Sequence, residues 1–168
     1  MHMRTGVKAL AVAAGVAAAL AATTSTASAS AGEARTAAQS WYTCSDPVAL
    51  TDGGSTAVSC ISSDGVGNLS GLSVMHFNSA NPAGWTACQL NSTLFRVNSD
   101  GTETALSSAP MTDCLDAAHT KADLGAALPW AAITASGNYR VRLGIAGSYN
   151  GTAVLGYAGS SPVVYVGV

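Results

Sequence analysis

The sequence predicts an all-β domain made of two packed antiparallel sheets, and three observations carry that prediction. From Trp41 onward, short apolar segments alternate with turn residues at close intervals, the pattern of strands joined by tight connections. One segment, residues 139–145, alternates strictly. Tyr139, Val141, Leu143 and Ile145 fall on one side, and Arg140, Arg142 and Gly144 on the other, as in a strand with one face in the core and one in solvent. Four cysteines, Cys44, Cys60, Cys88 and Cys114, are enough for two disulfides across such a domain.

The first 31 residues read as an export signal. Arg4 and Lys8 form a basic start, and Ala9 to Ala22 is an uncharged run of 14 residues. That run is shorter than the roughly 20 residues a membrane-spanning helix requires. Ala27-Ser28-Ala29-Ser30-Ala31 then supplies two overlapping A-x-A cleavage sites, so the mature chain is expected to begin near Ser30 or Gly32. No second apolar run of membrane-spanning length follows, and Trp41-Tyr42-Thr43 before Cys44 does not look like a lipoprotein processing site. The expected location is extracellular, with no membrane attachment after signal cleavage.

Residues 32–40 are small, polar and aperiodic, and are expected to form a flexible arm. Residues 41–168 form the sandwich domain. Its candidate strands are 41–45, 56–62, 72–78, 86–90, 93–98, 103–106, 131–135, 139–145, 153–157 and 163–168. Asp100-Gly101 and Asn150-Gly151 are hairpin signals, because glycine accepts the positive φ that such turns need. Cys88-Gln89-Leu90-Asn91 and Phe95-Arg96-Val97-Asn98 alternate in opposite phase, which calls for a bulge or break between Leu90 and Phe95. Residues 110–128 favour one short helix or an irregular crossover, ended by Pro129. Ser136-Gly137-Asn138-Tyr139, leading into the alternating strand, resembles the corner of immunoglobulin-like sandwiches, where a tyrosine hydroxyl bonds back to an upstream loop. The predicted architecture is therefore an immunoglobulin-like sandwich with one short helix or crossover.

The cysteines admit three pairings on paper. Local pairing of Cys44 with Cys60 and Cys88 with Cys114 closes the two smallest loops, over separations of 16 and 26 residues. No C-x-x-C pair is present, which argues against zinc. The cysteine spacings also resemble those of proteinaceous α-amylase inhibitors of the tendamistat kind. The Trp-Arg-Tyr triplet of those proteins has no counterpart between Cys44 and Cys60.

From residue 32 onward, five basic side chains stand against nine acidic ones, a formal charge of −4. That balance argues against nucleic acid and anionic membrane surfaces as partners. Two histidines remain after cleavage, His76 and His119, which limits acid–base chemistry near neutral pH. His76 lies between apolar neighbours in a strand candidate and reads as a structural, hydrogen-bonded residue. Nothing resembles the G-x-S-x-G nucleophile turn, and paired cysteines leave no catalytic thiol. Asp113, Asp116 and His119 would share one broad helical face and could in principle hold a divalent cation. The plainer reading is capping by Asp113 or Thr112, with Asp116 in the first turn and His119 near the helix end.

The aromatics Trp41, Tyr42, Trp85, Trp130, Tyr149, Tyr157 and Tyr165 are scattered without a repeat, which does not make a sugar-binding platform. Sequons at Asn68, Asn91 and Asn150 are expected by chance in a chain so rich in Asn, Ser and Thr. The resulting expectation is a secreted, non-enzymatic binding module for an extracellular protein or glycan. No cofactor, metal, catalytic residue or nucleic-acid partner is expected. The alternative is a secreted inhibitor of an extracellular hydrolase, a protease or a glycosidase.

Overall fold

The computed structural model describes residues 39–168 together with the backbone of Arg35–Thr36. The expected signal peptide, residues 1–31, lies outside the described residues. The strands are β1 (Arg35–Thr36), β2 (Ser40–Cys44), β3 (Val48–Ala49), β4 (Thr56–Asp64), β5 (Asn68–His76), β6 (Trp85–Val97), β7 (Glu103–Ser108), β8 (Thr112–Asp113), β9 (Asp123–Ala132), β10 (Gly137–Tyr149), β11 (Thr152–Ser160) and β12 (Val164–Gly167). Among the described residues one α-helix, α1 (Leu115–Thr120), and a 3-10 turn, Pro82–Gly84, interrupt them.

They form two packed sheets. The first runs β1-β12-β10-β6-β7, with β11 beside the second half of β10 and β8 beside β6. The second runs β2-β4-β5-β9, with β3 beside β4. All pairs are antiparallel except β1–β12. Within the stretch expected as a free arm, Arg35 and Thr36 pair with Val166 and Gly167.

Several elements differ from their expected bounds for identifiable reasons. The segments 86–90 and 93–98 are one continuous strand, β6, paired with β10 without a register shift from Leu90 to Val97. β6 itself carries no extra residue, since both its faces are covered there; the expected irregularity lies in its pairing with β7, whose register shifts between Leu94 and Phe95 and leaves Leu106 as the extra residue. Cys88, Leu90, Ser92 and Leu94 face the interior, while Phe95 lies on the outer face under the Tyr157 ring of β11, centroids 5.7 Å apart. β9 begins at Asp123 and continues through Pro129. Proline is tolerated because β9 is an edge strand with a register shift opposite Leu69 and Gly71, the position where no ladder hydrogen bond is required of it.

The strand 139–145 is as predicted but longer, and Tyr139, Val141, Leu143 and Ile145 are all buried. The corner is present too: the Tyr139 hydroxyl donates to the Ala135 carbonyl. Asn150 and Gly151 both take positive φ, 49° and 76°, and join Tyr149 to Thr152 in a two-residue hairpin.

The core has two apolar clusters divided by a polar waist. Ala57, Met75, Phe77, Trp85, Leu90 and Leu143 lie in one cluster, and Ile61, Leu69, Leu94, Tyr139 and Val141 in the other. Between them, at inward positions of β4, β5 and β6, sit the fully buried Ser59, Ser73 and Ser92. Ser73 Oγ donates to Ser59 Oγ at 3.1 Å, and Ser92 Oγ to the Ala126 carbonyl at 2.7 Å. These partners offset the cost of burying hydroxyls. Gly71 belongs to the same waist. A Cβ there would lie 2.6 Å from Val141 Cγ2 and 2.8 Å from the Cys60 carbonyl oxygen, so small side chains set the close approach of the sheets.

Candidate functional site

Where β3 and β11 lie at the same side of the sandwich, the two sheets part and leave a cleft of about 210 Å³. One wall is β3 and the loop after it, residues 48–52; the other is residues 154–158 of β11; Trp85, Ile145 and Tyr149 complete the lining. The cause is legible in β11. Its inward positions carry Val154, Gly156 and Ala158, and Gly156 pairs with Ile145 of the core. A Cβ on Gly156 would meet no atom within 4 Å, and its φ of +146° disfavours an L side chain. The cleft occupies the room that a side chain at 156 would have filled.

The polar side chains of Asp52 and Trp85 are bound to each other, and that of Tyr149 to the Asp52 backbone. Asp52 is buried. Its Oδ1 accepts from the amides of Ser55 (2.9 Å) and Gly54 (3.3 Å), and its Oδ2 from Ser55 Oγ (2.5 Å) and Trp85 Nε1 (3.3 Å). The Tyr149 hydroxyl donates to the Asp52 carbonyl at 3.1 Å and lies 2.9 Å from Ser79 Oγ, which donates to the same carbonyl at 3.2 Å. Four donors thus occupy the two oxygens of one carboxylate. The Trp85 ring meets Tyr149 at 5.3 Å and Phe77 edge-on at 6.0 Å, geometry that favours ring contacts. What remains open to a visitor is mainly apolar, with the exposed Thr51 side chain and the unpaired backbone edge of β11 as its polar groups.

At the rim, Val48, opposite the buried Ala57, faces the cleft and is 44% exposed, whereas the side chains of Leu155 and Tyr157, opposite Ala146 and Gly144, lie on the outer face of the sheet. Tyr157 is held from beneath. The Arg142 guanidinium sits 4.7 Å from its ring centroid, a cation–π contact, and Phe95 packs edge-on to it. Glu103 pairs with Arg140, and its Oε2 lies 3.0 Å from Arg142 Nε. The arginine face of β10, expected in solvent, is therefore half covered.

Of the residues singled out in the sequence, the four cysteines pair locally, Cys44–Cys60 and Cys88–Cys114. The Cα separation of Cys44–Cys60, 4.0 Å, is close because the two residues are directly opposed on adjacent strands. Asp113, Asp116 and His119 do not converge. Asp113 Oδ1 accepts from the Leu115 amide at 2.9 Å, Asp116 occupies the first helical turn, and His119 Nε2 lies 2.7 Å from the Trp85 carbonyl. Among the described residues no group of three or more His, Cys, Asp or Glu side chains is placed to hold a metal ion. His76 is partly exposed, not enclosed by apolar neighbours, and its Nδ1 lies 2.9 Å from Asp123 Oδ1 across the β5–β9 pair.

In the sequence Asp52 looks like no more than a turn residue ahead of Gly53 and Gly54. The signal available was Ser55 three residues on, since aspartate followed by glycines and a hydroxyl folds back on its own backbone. Trp85 and Tyr149 stood among the scattered aromatics, and only the fold brings them to one cleft.

The chain matches no protein-family model, and comparisons with curated proteins and with solved structures gave no match.

Proposed function

We propose that this chain is a secreted, non-enzymatic binding module that takes an extracellular partner at the cleft between β3 and β11. The observation that carries the reading is the cleft itself: a mainly apolar recess whose one carboxylate, on Asp52, is already bound by four donors. Such a recess can bind but presents no free acid, base or nucleophile to a substrate. Two disulfides suit an oxidising compartment, and no helix of the described residues is long and apolar enough to cross a membrane.

A second reading, an inhibitor of an extracellular hydrolase, is favoured by the β4–β5 turn. Val66 is 80% exposed at its tip. Beneath it the Asp64 carboxylate accepts from the Val66 and Asn68 amides (2.8 and 3.1 Å) and from Asn68 Nδ2 (2.5 Å). The Asn68 side chain, with those amides, holds the Asp64 carboxyl below its ordinary value. A braced turn that presents one apolar side chain loses little conformational freedom on binding.

Isotopically labelled protein titrated with the small-molecule, glycan and protein fractions of the producing culture's fluid separates the readings. Amide shifts at residues 48–52 and 154–158 are the expected result. Shifts confined to residues 64–68, with a protein fraction, would move the inhibitor reading ahead. A spectrum unchanged by all three fractions would contradict both.

A further inference from the structure

We infer that the outer face of the sheet β2-β4-β5-β9 is a two-fold interface whose occupant is a second copy of this chain. The inference is independent of the β3–β11 cleft, which opens between the sheets and stays uncovered in such a dimer.

Patterning comes first. Inward positions of β4, β5 and β9 hold the buried Ala57, Ile61, Leu69, Met75, Ala126 and Leu128. The alternate positions point away from the core. A sheet with a wet outer face carries polar residues there, as β10 does with Arg140 and Arg142. On this sheet two cross-strand rows fill the middle instead: Cys44-Cys60-Leu72-Ala127 and Val58-Val74-Gly125. Apolar residues on both faces are the pattern of a sheet covered on both sides. Among the described residues, the principal elements packed on β4 and β5 from beyond their own sheet are β6, β10 and β11, all from the inner side. Leu72 is left 45% exposed, and Tyr42, in the next row, 77%.

Charge comes second. Among the described residues, charged groups stand at outward strand positions only at the two ends of this face. Asp64 lies at one end, and His76 and Asp123, 2.9 Å apart, lie at the other. A two-fold axis running across the strands sets the Asp64 end of one copy over the His76 end of its partner. It brings the uncharged rows together and leaves every charge at the rim, the layout of a stable interface.

Size and shape come third. The four strands have five, nine, nine and ten residues. At roughly 3.3 Å per residue and 4.8 Å per strand they give a face of roughly 500 Å² in projection. With its side chains in relief, that lies between weak association and the roughly 800 Å² per partner of a standard interface. Valine, alanine and glycine without a central charge give an unlike partner little to read. A second copy brings the same twist and the same small side chains, which suit face-to-face packing of sheets about 10 Å apart.

The test follows the full exported protein by sedimentation velocity from about 1 µM to about 1 mM, with amide spectra over the same range. A monomer–dimer equilibrium with a dissociation constant on the order of 10–100 µM is expected, with concentration-dependent shifts at residues 58–60, 72–74 and 125–127. Leu72→Lys and Val74→Lys should each raise that constant at least tenfold. Leu155→Lys, on the outer face of the other sheet, should leave it unchanged. Either face variant suffices if the other does not fold. The Cys44–Cys60 bridge lies on the same face, so a small thiol should reduce it at least threefold more slowly in the dimer than in the dilute monomer.

A monomer throughout the range, association that a folded face variant leaves intact, or equal reduction rates would overturn the inference. Growth past the dimer would overturn it in favour of open-ended association. Loss of the dimer in Leu155→Lys with both face variants unaffected would overturn it in favour of pairing through the β11 edge. A monomer whose residues 58–60 and 72–74 shift only with a protein fraction of the culture fluid would overturn it in favour of an unlike partner. Shifts at residues 48–52 and 154–158 stand or fall separately, and with them the binding-module reading.

Discussion

The Tyr139 ring is buried against Val141 and Val166 in the second core cluster, while its hydroxyl donates to the Ala135 carbonyl. Burial pushes its pKa above the ordinary 10.0, with the Arg96 charge pulling the other way. The folded state thus favours the neutral phenol. That contribution is complete below the unfolded value and is lost as the pH rises through the raised folded value. Tyr139→Phe should cost about 1 kcal/mol at neutral pH and should flatten the loss of stability above about pH 10; urea midpoints at neutral and alkaline pH check both. Further along the same strand, Leu143 has no exposed surface, and Leu143→Ala should cost about 2–5 kcal/mol. Arg142, set between Tyr157 and Glu103 but partly in solvent, should cost no more than about 1 kcal/mol as Arg142→Ala. Equal melting shifts for the two would contradict the assignment of their faces.

At the scale of the element, glycine marks where strands must come close and where they need not. Gly71→Ala would drive a Cβ into Val141 and the Cys60 carbonyl oxygen at the waist and should cost about 1–3 kcal/mol. Gly125→Ala, on edge strand β9 with its nearest contact 3.4 Å away at Leu72 Cδ1, should be neutral or slightly stabilising; paired thermal melts decide this. Strands with one wet face and a tight turn were readable in the sequence, as in β10 and the Asn150-Gly151 hairpin. β6 was harder to read, because Phe95 is covered from outside by Tyr157 and so breaks the period of two. β9 was hidden by Pro129, whose tolerance depends on an edge and a bulge that exist only after the strands pair. The cleft was invisible for the same kind of reason. Gly156 reads as one more turn former until its inward position opposite Ile145 is known, and nothing local links Asp52 to Trp85.

Across the whole molecule, the two disulfides occupy different environments. Cys88 and Cys114 are buried in the first core cluster beside α1, whereas Cys44 is exposed on β2. Thiol attack requires access to sulfur, so a mild reductant under native conditions should open Cys44–Cys60 first and leave Cys88–Cys114 until global unfolding; alkylation followed by peptide mass mapping reads the order. The same layout places the recess on one side of the sandwich, between loop and edge strand, with the waist and the second cluster filling the remainder. Binding without chemistry is the central claim, and the fate of the bound compound tests it most directly. The culture-fluid fraction that shifts residues 48–52 and 154–158 is incubated with excess compound over protein, and the compound is recovered and weighed by mass spectrometry. The account predicts a compound of unchanged mass, bound at one per chain. A product that accumulates beyond one equivalent, and ceases to form in Val48→Trp, whose position opposite the buried Ala57 faces the cleft, would contradict it.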